Sequence, residues 1–128
     1  MSEFKVLLVD DETDFVVPLS KRLRKRNLEV NSASSGQEAL DFLSQSPCDV
    51  VVLDVKMPDM NGIETLRRIK EVAPLVEVIM LTGHANVEVA IEGMELGAFD
   101  YLMKPVDIDD LLYKLQDAYK KKSYRQTS

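Results

Sequence analysis

Val50-Val51-Val52-Leu53-Asp54 is four apolar residues followed by a carboxylate. A run that short is strand length, and its lack of polar positions suits a strand covered on both faces. The same grammar recurs along the chain. Apolar runs of strand length occupy 5–9, 28–33, 50–53, 76–81 and 98–102. Four of them lead into reactive groups: Asp10-Asp11, Asp54, Thr82 and, after the last, Lys104-Pro105.

The segments between the runs repeat every three to four residues. Phe15, Leu19 and Leu23 mark the first, Ala39, Leu40 and Leu43 the second, and Ile63, Leu66 and Ile69 the third. The fourth, 87–96, carries Val87, Ala90, Ile91 and Met94. Its extra apolar residue, Val89, suits either a partner surface or a more buried helix. The fifth carries Ile108, Leu111, Leu112, Leu115, Ala118 and Tyr119. Ser34-x-x-Gln37 and Asn61-x-x-Glu64 have capping-box spacing, Asp107 precedes the fifth helix, and Gly97 is placed to stop the fourth.

The pattern is therefore (βα) five times, an α/β fold with a doubly wound, five-stranded parallel sheet. Right-handed crossovers leave few topologies, and the common one has strand order 2-1-3-4-5. Winding then reverses between strands 1 and 3. The crevice at that switch point is flanked by Asp10 and Asp11 on one side and Asp54 on the other. A single domain is expected over 1–121, with a tail or linker from 122 to 128, where apolar periodicity ends.

Crowded carboxylates need a counter-charge: two unit charges about 4 Å apart repel by roughly 4 kcal/mol at an effective dielectric near 20. Oxygen-only ligands favour a hard cation such as Mg²⁺. A single Asp at this place is more often a helix cap, but two in tandem facing a third favour the metal. Thr82 alone reads as a strand former or a cap, and Lys104 alone as a solvated lysine. Beside the acids they complete a phosphoryl-transfer set, with cations to balance phosphoryl oxygens, a hydroxyl donor and an attacking carboxylate.

Composition narrows the alternatives. The net charge of −6 argues against gripping DNA or RNA through phosphates. Lys21, Arg22, Arg24, Lys25 and Arg26, and later Lys120 to Lys122, read as solvated helix ends. No apolar run approaches the roughly 18 residues of a membrane span, and no secretory leader is visible at the N-terminus. Cys48 is the single cysteine and His84 the single histidine. An internal disulfide and a His-rich metal site are excluded, and a cytoplasmic setting is expected.

Asp10-Asp11, Asp54 with Val55-Lys56-Met57-Pro58-Asp59-Met60-Asn61-Gly62, Thr82-Gly83 and Lys104-Pro105 together resemble the response-regulator receiver domains of two-component signalling, a flavodoxin-like, CheY-like fold. The likeness spans roughly residues 5 to 120. It implies that Asp54 accepts a phosphoryl group from a histidine kinase. Mg²⁺ is then held by Asp11, Asp54 and the Lys56 main-chain carbonyl, with Asp10 acting through water. Thr82 and Lys104 match the family's hydroxyl and lysine positions, and the Lys104–Pro105 bond is expected to be cis.

The resemblance further implies a switch in which Thr82 shifts toward the phosphoryl group and Tyr101 turns inward. The surface of helix 4, strand 5 and helix 5 changes with them, regulating a downstream effector domain or protein, with a lean toward transcriptional activators. A strand residue with a packed ring and a wet hydroxyl is the plain alternative for Tyr101. The only catalysis implied is of the domain's own phosphorylation and dephosphorylation, so it is not an enzyme in the wider sense. A phosphorylation-dependent homodimer is compatible with the pattern; direct nucleic-acid or membrane binding is not expected.

Rival readings lack their signatures. A nucleotide- or flavin-binding domain wants a Gly- or Ser/Thr-rich cradle after strand 1, where Asp10-Asp11-Glu12 repels phosphate. An aspartyl-phosphate hydrolase of the haloacid-dehalogenase type wants an acid where Lys56 stands. A receiver-fold binding module that never needs phosphorylation is the main alternative, although its usual mark, a missing acid or lysine, is absent.

Overall fold

The computed structural model describes residues 3–57 and 60–127, without the side chains of 84, 126 and 127. Five strands alternate with five helices. They are β1 (Lys5–Val9), α1 (Thr13–Lys25), β2 (Glu29–Ala33), α2 (Gly36–Gln45), β3 (Val50–Asp54) and α3 (Gly62–Val72). After them come β4 (Glu77–Thr82), α4 (Val87–Glu95), β5 (Asp100–Met103) and α5 (Ile108–Thr127), with a single 3₁₀ turn at His84–Asn86. All pairings are parallel, in the order β2-β1-β3-β4-β5. The expected topology is the observed one, and the winding reverses between β1 and β3.

The sheet has an apolar core on each face. Leu7, Val9, Val51, Leu53, Val78 and Met80 pack under α2, α3 and α4. Val6, Leu8, Val50, Val52, Ile79 and Leu81 pack under α1 and α5. Strand side chains alternate between faces, so each central strand feeds both layers. This double burial is why β3 and β4 show no polar alternation. The edges differ: Glu29, Asn31 and Ser32 of β2 are exposed, and all four residues of β5 are only half-buried.

Helix boundaries follow local chemistry, with three departures from expectation. The cap of α2 is Ser35 rather than Ser34, its side chain accepting the Glu38 N–H. Glu38 reaches back one residue further, and the Ser34 hydroxyl donates to it at 2.6 Å. The box slipped because adjacent serines offer two registers and the negative Glu38 competes better than Gln37. Asn61 caps α3 through Glu64 N–H at 2.8 Å, and Asp107 accepts from Asp109 and Asp110 at the start of α5, both as expected.

The second departure concerns α4. Its buried positions are Ala90 and Gly93, and Gly93 lies so close to Met80 that an added Cβ would meet that side chain at 3.3 Å. Val89 is half-buried against the core, whereas Ile91 and Met94 stand 46% and 37% exposed. Small residues face the sheet and the larger ones are left outside. Gly97, with φ +108°, closes the segment as expected.

The third lies near the C-terminus, where residues 122–127 of the expected tail fall inside α5. Lys122 is buried and its Nζ lies 2.7 Å from Asp49 Oδ1. Arg125 donates to the fully buried Glu77 at 3.0 Å and to the Pro74 carbonyl at 3.3 Å. These cations look solvated in sequence because their acids are 73 and 48 residues away. They tie the end of α5 to the N-terminal ends of β3 and β4, opposite the switch-point crevice.

Gly62 opens α3 where it touches the loop after β3. A Cβ there would sit 2.6 Å from Val55 Cα, which is main chain and cannot give way cheaply. Gly62→Ala is expected to cost about 1–3 kcal/mol, read as a lower urea midpoint. An unchanged midpoint would mean that the loop yields freely.

Candidate functional site

Strand alternation decides which reactive side chains can meet. Asp10 continues the face of Val6 and Leu8, Asp54 that of Val50 and Val52, and Lys104 that of Leu102, all toward α1 and α5. Thr82 follows the opposite parity, with Val78 and Met80, and so does Tyr101. Main-chain bonds extend the ladder past the strand ends: Asp10 N–H donates to the Ala33 carbonyl at 3.0 Å and Lys104 N–H to the Thr82 carbonyl at 2.8 Å.

The result is a charged cluster. Lys104 Nζ lies 2.7 Å from Asp10 Oδ2, 2.8 Å from Glu12 Oε1 and 3.6 Å from Asp54 Oδ2. It also sits over the Phe15 ring, 4.5 Å from its centroid. Asp10 and Asp54 are buried, and Lys104 is half-buried. An open cavity of about 510 Å³ lies above them, lined by Asp11, Glu12, Asp54, Lys56, Met57, Gly83, Asn86 and Lys104.

Electrostatics follow from this crowding. Burial, and then the Asp10 charge, push the Asp54 carboxyl up to about 6, against a smaller opposing pull from Lys104. Burial works against the Lys104 ammonium, but Asp10 and Glu12 outweigh it, so its proton is held more tightly than usual. Glu12 moves down, chiefly through its hydrogen bond with Lys104.

Asp10 does not cap α1, whose N-cap position is Glu12. Its Oδ1 accepts the Glu12 N–H at 2.9 Å, which is a local turn. Its Oδ2 is buried and lies 2.7 Å from the Lys104 ammonium. Crowded acids matched by one ammonium are suited to a further cation. Ligand oxygens of Asp10, Glu12 and Asp54 can all lie within 4.8 Å of one another, among the described residues. Asp10 and Asp54, with Asp11 at the cavity rim, fit a divalent metal, whereas the Glu12 carboxylate is taken up by Lys104.

The other expected residues take distinct places. Asp11 is exposed at the cavity rim and does not join that group of three. Lys56 is exposed, and its N–H donates to Asp54 Oδ1 at 3.3 Å. Thr82 is fully buried and its hydroxyl donates to the Gly83 carbonyl at 3.0 Å. Tyr101 is half-buried against the core under α2–α4, outside the cavity lining. The Lys104–Pro105 bond is cis, as the resemblance implied. Pro58 and the His84 side chain lie outside the described residues.

Two participants were missed. Glu12 had been weighed only as a repeller of phosphate, yet it holds the site's lysine. Phe15 had been read as a core residue of α1, yet its ring lies under the same ammonium. The tandem acids before Glu12 were the available signal, although nothing local shows that a lysine 92 residues later returns to it.

Comparison with known proteins agrees with this geometry. Residues 6–116 match the family model described as the response regulator receiver domain. The transcriptional regulatory protein ZraR of Escherichia coli K12 is 39% identical over 113 residues, covering 88% of this chain and 26% of ZraR. Sporulation initiation phosphotransferase F of Bacillus subtilis is 36% identical over 121 residues, covering 94% of each protein. A response regulator receiver domain protein from Clostridium thermocellum superposes with a TM-score of 0.89 at 39% identity, covering 94% of this chain and 98% of that one. The chain thus spans about a quarter of ZraR-like regulators and nearly all of the sporulation phosphotransferase. With its flavodoxin-like fold and its strand-end acids and lysine, the chain belongs to the response regulator receiver family of two-component signalling.

Proposed function

We propose that this domain is a phosphorylation-controlled switch whose phosphoacceptor is Asp54. The observation that carries the reading is the convergence of Lys104 on Asp10, Glu12 and Asp54 beside an open cavity. A carboxylate oxygen of Asp54 attacks the phosphorus of a kinase phosphohistidine; the P–N bond breaks and the imidazole leaves with a proton. Asp54 is placed for this at the end of β3, with one oxygen steadied by the Lys56 N–H. Lys104 pairs with the incoming phosphoryl oxygens, and the Thr82 hydroxyl turns from the Gly83 carbonyl to donate to one of them.

Mg²⁺ would be held by Asp11, Asp54 and the Lys56 carbonyl, with Asp10 acting through water. When bound it offsets the crowded carboxylates and the charge spread over the phosphoryl oxygens. Catalysis is confined to the domain's own phosphorylation and dephosphorylation. The readout is the face of α4, β5 and α5, where Thr82 and Tyr101 share one side of the sheet and Ile91 and Met94 stand exposed. A histidine kinase upstream, an effector downstream and a cytoplasmic setting complete the reading. Among the described residues no helix is long and apolar enough to cross a membrane.

Incubation with Mg²⁺ and acetyl phosphate is expected to add one phosphoryl group to the wild type and none to Asp54→Asn, by intact-mass measurement. No gain in the wild type would favour a binding module that works without phosphorylation. An equal gain in both would move the acceptor elsewhere.

A further inference from the structure

Glu12 occupies the N-cap position of α1, but its side chain caps nothing. A short Asp or Asn there would turn onto the free N–H groups of the first turn, whereas the longer glutamate is left to reach outward. This one points away and accepts from Lys104 Nζ at 2.8 Å. Its main chain is fixed on both sides: the N–H donates to Asp10 Oδ1, and the carbonyl accepts from Phe15 and Val16. Three residues on, the Phe15 ring lies under the same ammonium. Asp10 Oδ2 holds the ammonium from the other side at 2.7 Å, and Asp54 is 3.6 Å away.

We infer that Glu12 is a positioning residue that, with Phe15, parks the Lys104 ammonium on the first turn of α1 and opposes its transfer to a phosphorylated Asp54. The inference rests on Asp54 being the phosphoacceptor. Lys104 cannot satisfy Glu12 fully and also move onto a phosphoryl group at Asp54, because one ammonium serves both. The resting form keeps the Glu12 contact and the phosphorylated form gives it up. Glu12 therefore sets part of the equilibrium between them without touching the reacting atoms.

Binding of beryllofluoride, a phosphoryl analogue, to the whole chain in saturating Mg²⁺ tests this. Glu12→Gln keeps the length of the side chain and removes its charge. Because the pair is largely solvent-facing, the variant is expected to bind the analogue about two- to fivefold more tightly. Removing a negative charge near an anion has some effect on its own, so the gain is measured again in a Lys104→Gln background. There most of it should vanish. The same gain in both backgrounds would overturn the inference, since Glu12 would then act on the anion directly. Weaker binding of Mg²⁺ alone to Glu12→Gln would also overturn it, by making Glu12 a metal ligand.

A crystal structure of metal-free Glu12→Gln reads the contact without any ligand. The ammonium should move from 3.6 Å to hydrogen-bond distance of Asp54; an ammonium left in place overturns the parking role. Failure of the wild type to bind beryllofluoride would instead sink the phosphoacceptor reading, while the crystallographic result still reports on the Glu12–Lys104 contact itself.

Discussion

Asp54→Asn is expected to unfold at a higher urea concentration than the wild type at pH 7.5 in metal-free buffer. The Asp54 carboxyl is raised from its ordinary 3.8 to about 6, first by burial and then by Asp10. Between those values the folded protein keeps a proton that the unfolded chain has released. Stability therefore falls as pH rises through that window, and above it the whole deficit is present. A shift of that size corresponds to on the order of 2–3 kcal/mol. Asparagine has no proton to lose, so the variant escapes the penalty and should be more stable by roughly 2 kcal/mol at pH 7.5. Below about pH 4 the two proteins should converge. Mg²⁺ should narrow the gap by stabilising the wild type. Equal midpoints at pH 7.5, or a gap that persists at low pH, would show that the acids are not in conflict.

Ending the chain at 121 is expected to have the opposite effect, and a larger one. The deletion removes Lys122 and Arg125, the partners of Asp49 and of the fully buried Glu77. Asp49 keeps the Lys5 N–H at 2.8 Å, but Glu77 is left with Lys70 at 3.8 Å and an oxygen that already lacks a hydrogen bond. Stripping a partner from a buried charge costs about 3–5 kcal/mol. Denaturant unfolding of residues 1–121 beside 1–128 measures it; a difference below about 1 kcal/mol, the range of a surface pair, would mean that water replaces the lost cations.

The strands, their order and the crevice were legible because strand length, side-chain alternation and right-handed crossovers act through short-range rules. Asp54 and Lys104 were legible for the same reason, standing directly after their strands. Glu12 was not, since its role depends on a lysine from the far end of the chain. Lys122 and Arg125 were hidden likewise, one reading as a solvated helix end and the other as part of a tail until the sheet brings Asp49 or Glu77 to it. The Ser34–Ser35 slip has a different origin: two neighbouring hydroxyls are nearly equivalent locally, and only the reach of Glu38 separates them. Val89 packs against the core and Ile91 stands outside because Gly93 lets α4 sit low on Met80, which fixes the helix's rotation.

The sheet's two edges have a consequence for how this domain meets other chains. A strand arriving beside β2 would find Glu29, Asn31 and Ser32 holding water. At the other border β5 is only four residues long, and its first, Asp100, is engaged by Lys114. Neither border offers a long, flat, apolar template, so end-on growth of the sheet from one molecule into the next is disfavoured. Association is thereby directed to the helical faces, where it remains reversible.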